Sequence, residues 1–103
     1  MPPFRSVSVQ QLRALLADEP LVVDVREPYE YADGHVPGAR PVPLATVPQL
    51  LGELPMDRPV YLVCQVGARS AQAAAFLAHH GVDAVNVDGG TGEWISAGYP
   101  VER

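Results

Sequence analysis

Three short apolar runs dominate the pattern of this chain: Leu21-Val22-Val23-Asp24-Val25, Val60-Tyr61-Leu62-Val63 and Ala84-Val85-Asn86-Val87, each set off by segments of helical character. Near-continuous β-preferring runs suit strands buried on both faces, as a parallel sheet requires. Parallel neighbours need long crossovers, and the intervening helical segments supply them. The chain therefore reads as α/β, a central, mainly parallel sheet with helices on both faces. In such a sheet the ligand site lies beyond the carboxyl ends of the strands.

The helical segments carry recognisable starts and stops. Ser8-Val9-Gln10-Gln11 has capping-box spacing, Leu12, Leu15 and Leu16 follow at helical intervals, and Asp18-Glu19-Pro20 closes the segment. Glu27-Pro28 opens a short helix through Tyr29 to Ala32, and Gly34, Pro37 and Gly38 mark the next loop. An extended stretch is expected from Ala39 to Val42. Thr46 and Pro48 then offer a cap and an early helical proline before Leu50, Leu51 and Leu54. After the second apolar run a helix is expected up to His80, with Gly81 as its left-handed cap. Asp88-Gly89-Gly90 turns the chain into a last helix from Thr91 to Ala97, stopped by Gly98 and Pro100.

A length of 103 residues allows one domain with one core, residues 1–103, and is too short for two domains and a linker. With 48% hydrophobic and 18% charged residues, a disordered chain is excluded. Seven Lys plus Arg against twelve Asp plus Glu give net −5, and no basic run is present to neutralise phosphates, which excludes nucleic acid as a partner. The start, Met1 to Ser6, lacks the apolar core of a signal, and no apolar run approaches a membrane span. A soluble, cytoplasmic protein is expected. The single cysteine forms no internal disulfide, and with three scattered histidines no zinc-ligand spacing exists.

That cysteine, Cys64, directly follows the second apolar run and opens Cys64-Gln65-Val66-Gly67-Ala68-Arg69-Ser70 at the head of an alanine-rich helix. A helix start presents unpaired N–H groups and about half a positive charge, so both a thiolate and an anionic substrate gain there. Cysteine pKa values fall from about 8.5 to roughly 3.5–7.5 in such settings. Cys64 is the candidate nucleophile, and the backbone N–H groups from Gln65 to Ser70 are a candidate cradle for the reacting anion. Gly67 is needed if the loop takes positive φ or brings its backbone close to the anion. Arg69 binds the anionic end of a substrate or pairs with a carboxylate to brace the loop, and a loop-closing arginine can do both. Ser70 reads first as a helix cap and second as a donor to sulfur.

Four segments in order, Val23-Asp24-Val25-Arg26-Glu27, Gly34-His35-Val36-Pro37-Gly38-Ala39, Cys64 to Ser70, and Gly89-Gly90 with Trp94, Gly98 and Pro100, resemble the rhodanese-like domain. The resemblance is strongest over 21–101. It implies the three-layer rhodanese fold and sulfurtransferase chemistry: the Cys64 thiolate takes the outer sulfur of thiosulfate or a persulfide donor, becomes a persulfide, and passes sulfur to cyanide, a thiol or a protein of a sulfur relay. No metal or organic cofactor is implied. From Cys64 through Arg69 the loop counts six residues, as in sulfur-transferring members; related cysteine phosphatases place five residues between Cys and Arg, where this chain has four. The shorter ring disfavours a phosphatase or an arsenate reductase. Val66 and Ala68 stand where many members carry polar residues, which keeps a partner-fed relay or binding module as the alternative.

The remaining polar candidates read as structural. Asp24 and Arg26, at the end of the first strand, suggest an ion pair or backbone braces. His35 braces its glycine–proline loop, His79 and His80 complement a helix dipole, and Trp94 anchors the core. Tyr29 and Tyr31 line the site's mouth or pack the short helix.

Overall fold

The structure, a computed structural model, describes residues 4–103, so the apolar-poor start lies partly outside the described residues. The described strands are β1 (Arg5–Val7), β2 (Leu21–Asp24), β3 (Arg40–Pro41), β4 (Val60–Val63) and β5 (Ala84–Val87). They form one all-parallel sheet in the order β1-β5-β4-β2-β3. The helices are α1 (Val9–Leu15), α2 (Pro28–Asp33), α3 (Val47–Leu50), α4 (Ala68–His79) and α5 (Gly90–Ser96), with single 3-10 turns after α1 and on both sides of α3.

Alternation along the strands sends side chains to two separate cores. Val23, Val60, Leu62 and Ala84 meet Val47 and Leu50 of α3 and Ala73, Ala74 and Leu77 of α4. On the opposite face, Val22, Tyr61, Val63, Val85 and Val87 meet Val9 and Leu12 of α1 and Trp94 of α5. Each fully buried Val or Leu contributes about 1.5–3 kcal/mol of transfer free energy, so the helices are held on by these faces and not by their short lengths. Trp94 is fully buried and donates its indole N–H to the Pro100 carbonyl at 2.8 Å, the anchor expected of it.

Local signals hold at several ends. Ser8 and Gln11 close a reciprocal capping box at α1. At the end of α4, Gly81 has φ +91, its N–H donates to Ala78 and that of Val82 donates to Leu77, the paired bonds of a Schellman motif. Thr46 departs from expectation: its hydroxyl donates to the Pro43 carbonyl and caps nothing. The strand β1 was not anticipated, because Arg5-Ser6-Val7 is an exposed edge with no apolar run.

The topology fixes where a ligand would bind. From β2 the chain steps outward to β3, returns to β4 on the other side of β2, and then steps away through β5. Outgoing connections from the neighbours β2 and β4 therefore diverge, which opens a crevice beyond their carboxyl ends. Asp24 and Val63 are register partners at that edge; Cys64 directly follows Val63, and Arg26 lies two residues beyond Asp24.

Candidate active site

Beyond β4 the chain turns through Cys64–Gly67 into α4, with Gly67 at φ +103. Two backbone bonds set the orientation of this turn. The Thr91 N–H donates to the Cys64 carbonyl at 2.7 Å and the Gly92 N–H to the Gln65 carbonyl at 3.0 Å, both from the first turn of α5. With those carbonyls tied to α5, loop N–H groups turn toward sulfur: Gly67 N–H donates to Cys64 Sγ at 3.1 Å. The Ser70 hydroxyl donates to Sγ at 3.3 Å, and the Val66 and Ser70 N–H groups also face it. No side chain caps α4. The helix begins at Ala68 with Gly67 in the cap position, so Ser70 is its third residue and its hydroxyl turns to the sulfur, which corrects the expectation that Ser70 is the cap.

Cys64 is fully buried. Burial pushes its thiol up, but the Ser70 hydroxyl and the N–H groups of Ser70, Gly67 and Val66 outweigh burial, leaving the thiol below its ordinary value of 9.0. The sign follows from what each group favours: burial opposes the thiolate, whereas every donor stabilises it. Titration of thiolate ultraviolet absorbance, read against Cys64→Ala, is expected to inflect below that ordinary value. Ser70→Ala is expected to move that inflection upward. An inflection above the ordinary value in the wild type would show that burial wins.

Two arginines brace the loop from the β2–α2 side. Arg69 makes a two-point pair with Glu30 of α2, Nη1 to Oε1 at 2.7 Å and Nη2 to Oε2 at 2.9 Å, which is the expected bracing pair with a carboxylate. The Arg69 hydrogen bonds hold the Glu30 carboxyl down at about 2, and Glu30 in turn pushes the guanidinium further into its charged form. Beneath them Arg26 and Asp24 form a buried pair at 2.9 Å, and Arg26 also donates to the Gly34 carbonyl and, at 3.0 Å, to Gln65 Oε1. The expected ion pair thus reaches into the loop. On the far side Asn86 of β5 donates to the Gly67 carbonyl at 3.4 Å and to Asp88 at 3.0 Å.

His35 braces as expected: it stacks on Tyr31 at 3.6 Å, donates from Nδ1 to the Tyr31 carbonyl, and exchanges backbone hydrogen bonds with Glu102. The Tyr31 hydroxyl donates to the Ala39 carbonyl at 2.6 Å, so Tyr31 packs, whereas Tyr29 is 75% exposed. His79 and His80 lie exposed at the end of α4. Val66, 71% exposed, and Ala68 form an apolar surface on the loop. The sequence missed Glu30, Gly90, Thr91 and Gly92 as parts of this site. For Glu30 the one local sign was its capping-box spacing from Glu27, which says nothing of an arginine 39 residues away.

The family model for the rhodanese-like domain matches residues 8–97. A sulfurtransferase of Allochromatium vinosum is 39% identical over 98 residues, covering 92% of each chain. The thiosulfate sulfurtransferase GlpE of Pseudomonas entomophila is 38% identical, covering 99% of this chain and 94% of its own. Among solved structures, a rhodanese-related protein from Thermoplasma volcanium superposes with a TM-score of 0.90 at 33% identity, over 96% of this chain and 98% of that one. The parallel sheet, the Cys64 loop at its switch point and the match over 8–97 agree: the chain belongs to the rhodanese-like domain family.

Proposed function

We propose that this chain is a rhodanese-type sulfurtransferase in which Cys64 carries the transferred sulfur. The Cys64 thiolate attacks the outer sulfur of thiosulfate or of a persulfide donor. A new S–S bond forms, the donor's S–S bond breaks, and its electron pair leaves with sulfite or with the donor thiolate. The Cys64 persulfide then gives its outer sulfur to cyanide or a thiol, and the thiolate is restored. The observation that carries this is the ring of donors on Cys64 Sγ from Gly67, Ser70 and Val66, which favours the thiolate over the thiol. The same loop N–H groups, from Gln65 to Ser70, hold the anion, and no metal or organic cofactor is called for.

Burial of Cys64 fits a carrier of this kind. A persulfide moves the reactive atom outward by about 2 Å, one S–S bond, so the acceptor need not reach the buried sulfur. The exposed Val66 and Ala68 beside it suit an acceptor or donor presented by another protein of a sulfur relay. Among the described residues no helix is long and apolar enough to cross a membrane. We place the chemistry in the cytoplasm, where a lone thiol stays reduced.

Steady-state formation of thiocyanate from thiosulfate and cyanide tests the proposal. Parallel double-reciprocal lines are expected, the pattern of a covalent intermediate that releases one product before the second substrate binds. Hydrolysis of p-nitrophenyl phosphate without thiocyanate formation would replace it with phosphatase chemistry.

A further inference from the structure

We propose that Glu30 sets donor specificity: by holding Arg69 in a two-point ion pair it withholds the guanidinium from dianionic donors and matches the site to sulfane donors of one negative charge. This rests on the sulfurtransferase proposal above.

Both guanidinium groups near the loop are already matched. Arg26 is bound to Asp24, and Arg69 spends Nη1 and Nη2 on the two oxygens of Glu30. Glu27 adds a further carboxylate, lining with Arg69 a mainly apolar cleft of about 500 Å³ between α3 and α4. The carboxylates of Asp24 and Glu30 thus pair with both guanidinium groups, and Glu27 lies beside Arg69 in the cleft lining, in a chain of net charge −5. A dianion entering this site gains the loop N–H groups, but both guanidinium groups beside the loop among the described residues are already paired with carboxylates. A monoanion gains the same N–H groups at a smaller cost of repulsion.

Thiosulfate and methanethiosulfonate separate the two cases, because they present the same outer sulfur with two charges and with one. With the first, Cys64 thiolate forms the S–S bond as the donor bond breaks and sulfite leaves. With the second, methanesulfinate leaves with the same electron pair. Each step ends on the Cys64 persulfide anion.

Glu30→Gln is the decisive variant because it removes the charge and keeps the fold's use of the residue. Glu30 Oε1 also accepts the Glu27 N–H at 3.0 Å in the capping box of α2, and glutamine retains that oxygen. Cyanide-coupled kinetics are measured for both donors with the full chain at low ionic strength. In Glu30→Gln the ratio of kcat/KM for thiosulfate to that for methanethiosulfonate is expected to rise about tenfold, mainly through a lower KM for thiosulfate, as one charge-assisted hydrogen bond becomes available. Glu30→Gln combined with Arg69→Gln is expected to bring the ratio back. Should Glu30→Gln fail to fold, Glu30→Asp, one methylene too short for the two-point contact, is expected to raise the ratio in the same direction.

A ratio that moves less than about twofold, or parallel loss with both donors, makes Glu30 a brace of the loop only and overturns the proposal. If neither donor sulfurates the wild-type protein, the sulfurtransferase proposal falls and this one with it. Uptake by the wild type with an unmoved ratio overturns this one alone.

Discussion

Replacing Cys64 with serine is expected to lower thiocyanate formation by more than about a thousandfold while leaving the fold in place. Serine is close to cysteine in shape, and its hydroxyl would take the bonds that Gly67 N–H and Ser70 Oγ make to sulfur, so a buried polar atom gains partners. Stability is therefore expected to change by no more than about 1 kcal/mol, read from chemical denaturation. Its chemistry does not carry over, since an alcohol in the same ring stays protonated and cannot store sulfane sulfur. Residual activity within tenfold of the wild type would remove Cys64 from the mechanism.

Gly90→Ala is expected to be the most damaging small substitution in the chain. Gly90 has φ +59, and a Cβ there would lie 2.7 Å from the Gln65 carbonyl oxygen, 2.8 Å from its carbon and closer still to the Cys64 carbonyl oxygen. These are backbone atoms of the loop, so no side-chain rotation relieves the clash. The left-handed conformation costs about 1–2 kcal/mol for a non-glycine residue and overpacking about 1–3 kcal/mol more. Relief requires α5 to move away, breaking the bonds from Thr91 and Gly92 that orient the loop. A loss of about 3 kcal/mol in stability is expected, together with an upward shift of the Cys64 titration and at least about a tenfold loss of turnover. Gly98→Ala is the matched control: φ is +81, nothing lies within 4 Å of its Cβ, and only the backbone cost should appear. Equal effects at Gly98 and Gly90 would mean that close approach to the loop is not what Gly90 provides.

The two glycines also show what the sequence made legible and what it did not. Gly81 was readable as a helix stop because its whole role lies within five residues of α4. Gly90 was readable only as part of a turn, since its necessity arises from carbonyls at Cys64 and Gln65 brought against it by the pairing of β4 with β5. Strands β2, β4 and β5 were legible for a local reason: each is a run buried on both faces. The edge strand β1 borrows its conformation from β5 and carries no such signature.

The same division runs through the site. A cysteine between an apolar strand and an alanine-rich helix announces itself, because helix-start electrostatics depend on a few consecutive residues. Ser70 was misjudged as a cap because the helix starts earlier than its alanine run suggests: Gly67 is in the cap position, Ser70 stands in the first turn, and its hydroxyl turns to the sulfur. For Arg69 both roles were open from the sequence, and the bracing one needs Glu30, on a helix reached through a different strand, which no local pattern pointed to.

The most direct measurement is the intact mass of the wild-type protein and of Cys64→Ala after exposure to thiosulfate or methanethiosulfonate and desalting, repeated after cyanide. A gain of one sulfur on the wild type alone, removed by cyanide as thiocyanate, is the predicted result. No gain from either donor, or a gain that survives in Cys64→Ala, would contradict a persulfide carried at Cys64.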